Sequence, residues 1–141
     1  MQIFVSDKGF VKVYPMKNQR DYPQALRLFA KDVGAPEILV CDPHPSQKSH
    51  EVKYFLNKIG TTLRLLEQNT QWANHAELYV GLVKEAVRKD MRSSGSPLVL
   101  WDYAAERRAA IMCLTDRDLF QLQRSNPYTD TFGDEGDISN L

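Results

Sequence analysis

Apolar positions along the chain fall into short β-like runs and longer helical stripes, separated by Pro, Gly and polar clusters. Residues 2–5 and 10–14 are β-favouring runs joined by Ser6-Asp7-Lys8-Gly9, which predicts a hairpin turning over Asp7 to Gly9. Phe10, Lys12 and Tyr14 alternate with Val11 and Val13, so one face of the second strand is expected to be wetter, and Pro15 ends it. Tyr22, Ala25, Leu26, Phe29 and Val33 then recur at helical spacing. Asp21 is the expected N-cap, with Pro23 in the first turn and Gln24 three residues on, while Gly34 and Pro36 stop the helix. Ile38-Leu39-Val40-Cys41 is uninterrupted, which suits a short strand buried on both faces. Pro43 and Pro45 break the chain after Asp42, and a second helix is predicted from near Ser46, with Val52, Phe55, Leu56 and Ile59 inward and Gly60 closing it. Residues 62–66 read as another strand, and residues 67–73, polar apart from Trp72, as a loop. From Asn74 to about Arg92 the pattern is helical, with Val80, Val83, Val87 and Met91 on one stripe and Tyr79, Leu82 and Ala86 beside it. Ser96 and Pro97 open a further helix from Leu98 to about Leu114. Thr115, with Asp118 in the capping-box position, is expected to cap a last short helix through Leu122, and extended chain follows from Ser125.

A hairpin followed by alternating helices and strands predicts an α/β layered domain over residues 1–92, a helical extension over 93–124 and an acidic, flexible tail over 125–141. Right-handed crossovers place the ends of the 38–41 and 62–66 strands on one sheet edge, where ligands bind in such folds. Asp42 stands at that edge. Glu77, 35 positions later, opens the helix after the next strand, so the path predicts two carboxylates brought together.

Composition adds limits. A chain of 141 residues fits one domain with a real core, and 43% hydrophobic content is ordinary for a globular protein. No apolar run approaches the roughly 20 residues that span a bilayer, and no signal-peptide pattern follows Met1, so an intracellular protein is expected. The net charge is zero, but residues 126–141 hold four acids and no base, which leaves residues 1–125 with a surplus of four positive charges. That balance is compatible with phosphate contacts without demanding them. Cys41 and Cys113 sit in apolar surroundings, and His44, His50 and His75 lack zinc spacing, which predicts buried thiols without a disulfide framework or structural zinc.

Several motifs, in this order and spacing, resemble the catalytic cores of retroviral and retrotransposon integrases, a ribonuclease-H-like family. Gly34-Ala35-Pro36 precedes an apolar strand ending at Asp42, as the family's Gly-x-Pro precedes its second aspartate. Lys58-Ile59-Gly60-Thr61 is similar to the family's turn into the next strand, and Trp72-Ala73-Asn74-His75-Ala76-Glu77 resembles the retrotransposon segment leading into the glutamate. Leu100-Trp101-Asp102-Tyr103-Ala104 resembles the helix after the core, and Asn126-Pro127-Tyr128 with Phe132-Gly133 the post-core segment. The resemblance spans nearly the whole chain.

It implies a metal-dependent polynucleotidyl transferase acting in DNA integration, nuclear in an active transposable element, with DNA as partner and a homo-oligomer possible. Such chemistry uses two Mg²⁺ or Mn²⁺ ions roughly 3.5–4 Å apart, held by carboxylates. Asp42 would bridge the ions and Glu77 would hold the second. Asn74, Trp72, Lys84 and Arg88 would contact nucleic acid; Lys84 and Arg88 lie seven and eleven positions after Glu77, on its helix face. Two departures stand out. The family's first strand, with its first aspartate, has no counterpart here, and Asp7 lies in a turn, so weakened metal binding and an inactive fragment are expected. Asp42-Pro43-His44-Pro45 stands where the family often has Asp-Asn-Gly. Each residue also has a local reading. Asn74-x-x-Glu77 is a capping-box pattern, Asp42 before Pro is a turn former, Trp72 suits core packing, and Lys84 and Arg88 suit a solvated face. The alternative function is a non-catalytic nucleic-acid- or protein-binding module derived from a retrotransposon, docking through the helix from Leu98 to Leu114.

Overall fold

The computed structural model describes residues 1–66, 71–115, 126–134 and 136, with the side chains of 71–75 excepted. The described chain is mixed α/β, as the pattern predicts, and divides into two compact units. The first holds residues 1–2 and 14–78, the second residues 3–13 and 79–141.

Strands β1 (Gln2–Val5) and β2 (Val11–Tyr14) pair as a two-stranded sheet. So short a connection allows only the antiparallel hairpin. Ser6 N donates to Phe10 O at 2.9 Å, and Gly9, at φ 82°, closes the turn onto Ser6 O. The expected wetter face is absent: Phe10, Val11, Val13 and Tyr14 are all buried and Lys12 half-buried.

In the first unit, the capping box lies one turn earlier than predicted. The Asn18 side chain caps a 3-10 turn, Gln19–Asp21, and the Asp21 carboxylate accepts from Lys17 N and Asn18 N. Being spent there, Asp21 makes no side-chain cap on α1 (Tyr22–Asp32), which buries Tyr22, Ala25 and Leu26. Strand β3 (Ile38–Cys41) pairs in parallel with β4 (Thr62–Leu65), Ile38 opposite Thr62 and Cys41 opposite Leu65. Burial on both faces does not hold for β3: Leu39 and Cys41 are buried, but Ile38 is 52% exposed, because a two-stranded sheet covers only part of its surface. Between them, α2 (His50–Ile59) starts later than expected. Residues 45–48 form a turn and Ser49 caps the helix by accepting from Val52 N. Gly60 ends it at φ 75°, a left-handed conformation that favours glycine. Thr61 Oγ1 then donates to Pro36 O at 2.7 Å, fixing the entry of β4 beside that of β3.

Helix α3 (Gln71–Ser94) begins three residues before Asn74. In the second unit it buries Tyr79, Val83, Val87 and Met91 along one stripe, with Val80 half-buried. The predicted helix from Leu98 resolves into a 3-10 turn, Leu98–Leu100, and α4 (Trp101–Leu114), which buries Ala105, Ala109 and Cys113. The Cys113 thiol bonds Val11, accepting from its N and donating to its O, each at 3.1 Å. Residues 126–136 were expected to be extended, but Pro127–Phe132 forms α5: the Asn126 side chain accepts from Thr129 N and Pro127 stands in the first turn, where its missing N–H costs nothing. Phe132 packs edge-on to Phe10 at 5.4 Å. The short helix expected after Thr115 lies outside the described residues.

Candidate functional site at the carboxyl edge of the parallel strands

Parallel pairing in register brings the carboxyl ends of β3 and β4 to one edge, as the crossover argument predicts, and Leu66 N donates to Cys41 O at 2.9 Å. Asp42 leaves β3 at that edge and is exposed. Its carbonyl accepts from His44 N at 2.7 Å, which tightens the Pro43–Pro45 segment. His44 is a turn residue: its Nδ1 accepts from Ser46 N at 3.3 Å and lies 2.8 Å from Ser46 Oγ.

Of the two strand ends, Cys41, next to Asp42, is buried while Leu65 is exposed. Burial pushes the Cys41 thiol up to about 11, and the Asp42 charge adds to the shift. Burial likewise raises the Tyr22 phenol, with Cys41 a lesser cause. Asp42 and His44 line an open cleft of about 480 Å³ together with Lys17, Tyr22, Ser46 and Gln47. Gln47 Oε1 is buried without a hydrogen-bond partner. Lys17 carries no sequence signal for this site because only the fold draws a residue 25 positions away to Asp42, while Gln47 follows Asp42 closely but sits in a turn with no motif to mark it.

Glu77 lies in the same unit, exposed, in the second turn of α3. Because the helix starts at Gln71, Asn74 is inside its first turn and does not cap it, and Trp72 is helical and not in a loop. Gln71, Trp72 and Ala73 include no Pro or Gly to stop the helix extending toward its N-terminus. The rest of the expected loop, residues 67–70, lies outside the described residues. Lys84 and Arg88 are exposed on the same helix. Among the described residues no three or more His, Cys, Asp or Glu side chains gather closely enough to hold a metal ion. No helix among the described residues is long and apolar enough to cross a membrane.

A hairpin, a parallel β-α-β unit with an acid at its carboxyl edge and a long following helix make up a fold similar to that of retroviral integrase catalytic cores. The chain is similar to the HTLV-2 integrase catalytic core domain in complex with magnesium, in its trimeric form (TM-score 0.74, 14% identity, 92% of this chain and 82% of that one). The dimeric form of that domain matches with TM-score 0.65 at 17% identity over 89% of this chain and 79% of that one. A chain of the simian T-cell lymphotropic virus intasome, solved in complex with the PP2A regulatory subunit B56 gamma, matches with TM-score 0.75 at 14% identity. That match covers 90% of this chain but only 46% of the intasome chain. No family model and no curated protein matches the sequence.

Proposed function

We propose that the chain is an integrase core by ancestry that binds DNA and does not transfer strands by itself. The observation that carries this reading is the integrase-core fold with Asp42 at the carboxyl edge of the parallel strands. Asp42 and Glu77 are the carboxylates we assign to metal and to the reacting phosphate. Lys84 and Arg88 supply positive charge to the DNA backbone, with Asn74 and Trp72 contributing from the first turn of α3. The donors are hard oxygens, the ligands Mg²⁺ prefers, and the HTLV-2 neighbour was solved with magnesium. Two carboxylates are fewer than a two-ion centre uses, so we assign them a weak metal site. The site of action is intracellular, and nuclear in an active element. Like the HTLV-2 cores, solved in dimeric and trimeric forms, the chain self-associates.

Labelled duplex ends incubated with the chain in Mg²⁺ or Mn²⁺ test the reading. The expected result is retained duplex with no cleavage or joining product, while the same duplex is shifted in a binding assay. Joining product from the chain alone, lost in Asp42→Asn, overturns the inactivity. Absence of any DNA shift at low salt overturns the binding. For the metal, Mn²⁺ is expected to broaden amide resonances around residues 42 and 77, and Asp42→Asn to abolish the effect.

A further inference from the structure

The cleft beside Asp42 gathers polar groups that the fold leaves without partners, and all of its lining residues belong to the first unit. Gln47 is half-buried. Its Oε1 is closed off from water with no hydrogen bond, and its Nε2 has none either among the described residues. An orphaned buried amide is uncommon in a folded protein and costs stability until something bonds it. Because no bond holds this amide, turning it toward the cleft gains a partner and breaks none. The Lys17 ammonium and the Asp42 carboxylate line the same cleft, exposed, and neither makes an ion pair among the described residues. Met16 and the Tyr22 ring add apolar wall. A volume of about 480 Å³ lies within the roughly 300–1,000 Å³ of ligand pockets, enough for one nucleotide and far too little for a duplex.

We propose that this cleft binds a single ribonucleoside monophosphate, independently of DNA. The three free groups differ in what they can bond, and together they set the ligand's class. A primary amide grips a base edge that places a donor beside an acceptor, as adenine places N6–H beside N7, so Gln47 takes the base. A carboxylate only accepts and the two sugar hydroxyls donate, so Asp42 takes the ribose, as acidic residues do in nucleotide sites. Lys17 is the cation for the phosphate. Met16 and Tyr22 offer the base an apolar surface. The site needs neither a metal ion nor strand transfer.

Titration of the ¹⁵N-labelled full chain with adenosine 5′-monophosphate (AMP), without divalent cations, tests it by NMR. Saturable shifts are expected at residues 17, 42 and 47 and at the Gln47 side-chain amide, with a submillimolar Kd. Gln47→Leu, which keeps the bulk of a half-buried side chain, should weaken AMP at least tenfold. Truncated ligands assign the other two contacts. Lys17→Gln should weaken AMP but bind adenosine as the wild type does. Asp42→Asn should weaken AMP but bind 2′,3′-dideoxy-AMP as the wild type does. The wild type alone should prefer AMP to both truncated ligands. No saturable shift up to millimolar AMP, or the same shifts from inorganic phosphate, overturns the nucleotide site. Full affinity in Gln47→Leu overturns the base contact. Any of these failures leaves DNA binding to its own assay, since no duplex is present.

Discussion

At the residue scale, Cys41 and Asp90 each make the stability of the fold depend on pH. The Cys41 thiol is held protonated, mainly by burial under the sheet edge and further by Asp42, with its pKa pushed up from 9.0 to about 11. The folded state therefore keeps a proton the unfolded chain releases. That stabilisation is complete below pH 9 and is lost as pH climbs to about 11. Urea midpoints are expected to fall across that window, and to fall less in Cys41→Ala; equal slopes would contradict the assignment. In the second unit, Arg108 grips Asp90 with two hydrogen bonds, Nε to Oδ2 at 2.7 Å and a shorter one from Nη2 to Oδ1. The bonds from Arg108 hold the Asp90 carboxyl below its usual range, so this contribution is present above the usual carboxylate pKa and lost on acidification. Both side chains are about a quarter exposed. Asp90→Asn should therefore cost about 1 kcal/mol by thermal denaturation at neutral pH, and Arg108→Lys should recover little, because lysine lacks the two-pronged geometry.

At the element scale, the β3-α2-β4 unit decides where the candidate acid stands, and its two helix ends set the register. Ser49→Ala removes the cap on Val52 N and should cost about 1 kcal/mol by chemical denaturation. Gly60→Ala puts a side chain at φ 75° and should cost about as much, although a Cβ there meets open space; a neutral result would show that the turn relaxes. Strands β3 and β4 and the Gly60 stop were legible within a residue, since a short apolar run and a glycine after a helical stripe are local signals. The start of α1 after Asp21 was legible too, but its capping box and the start of α3 were not. Asn18 won the capping box because the Asp21 carboxylate could reach back to the backbone N–H groups of residues 17 and 18. Helix α3 extended past Asn74 because a cap residue does not end a helix whose preceding residues also favour it.

At the scale of the whole molecule, zero net charge limits the electrostatic part of any DNA affinity. With Lys84 and Arg88 as the phosphate contacts, the plot of log affinity against log salt should be shallow. Each of Lys84→Ala and Arg88→Ala should flatten its slope by about 0.9 and weaken all duplex sequences alike. A sequence-selective loss from either variant would mean a base contact instead. Each of the two compact units has its own buried side chains, Leu26, Val52 and Leu56 in one and Val11, Val13 and Val83 in the other.

Patterns along the chain set the order of elements as far as α4, the parallel sense of β3 and β4, and hence Asp42 at their carboxyl edge, because periodicity, breakers and crossover handedness are local or topological. They also marked Glu77, Lys84 and Arg88 by spacing along one helix. Packing alone settled that Lys17 shares a cleft with Asp42, that Ile38 of β3 stays half exposed, and that Leu98 to Tyr103 lie uncovered. Burial and proximity between distant segments depend on packing, which no pattern along the chain encodes.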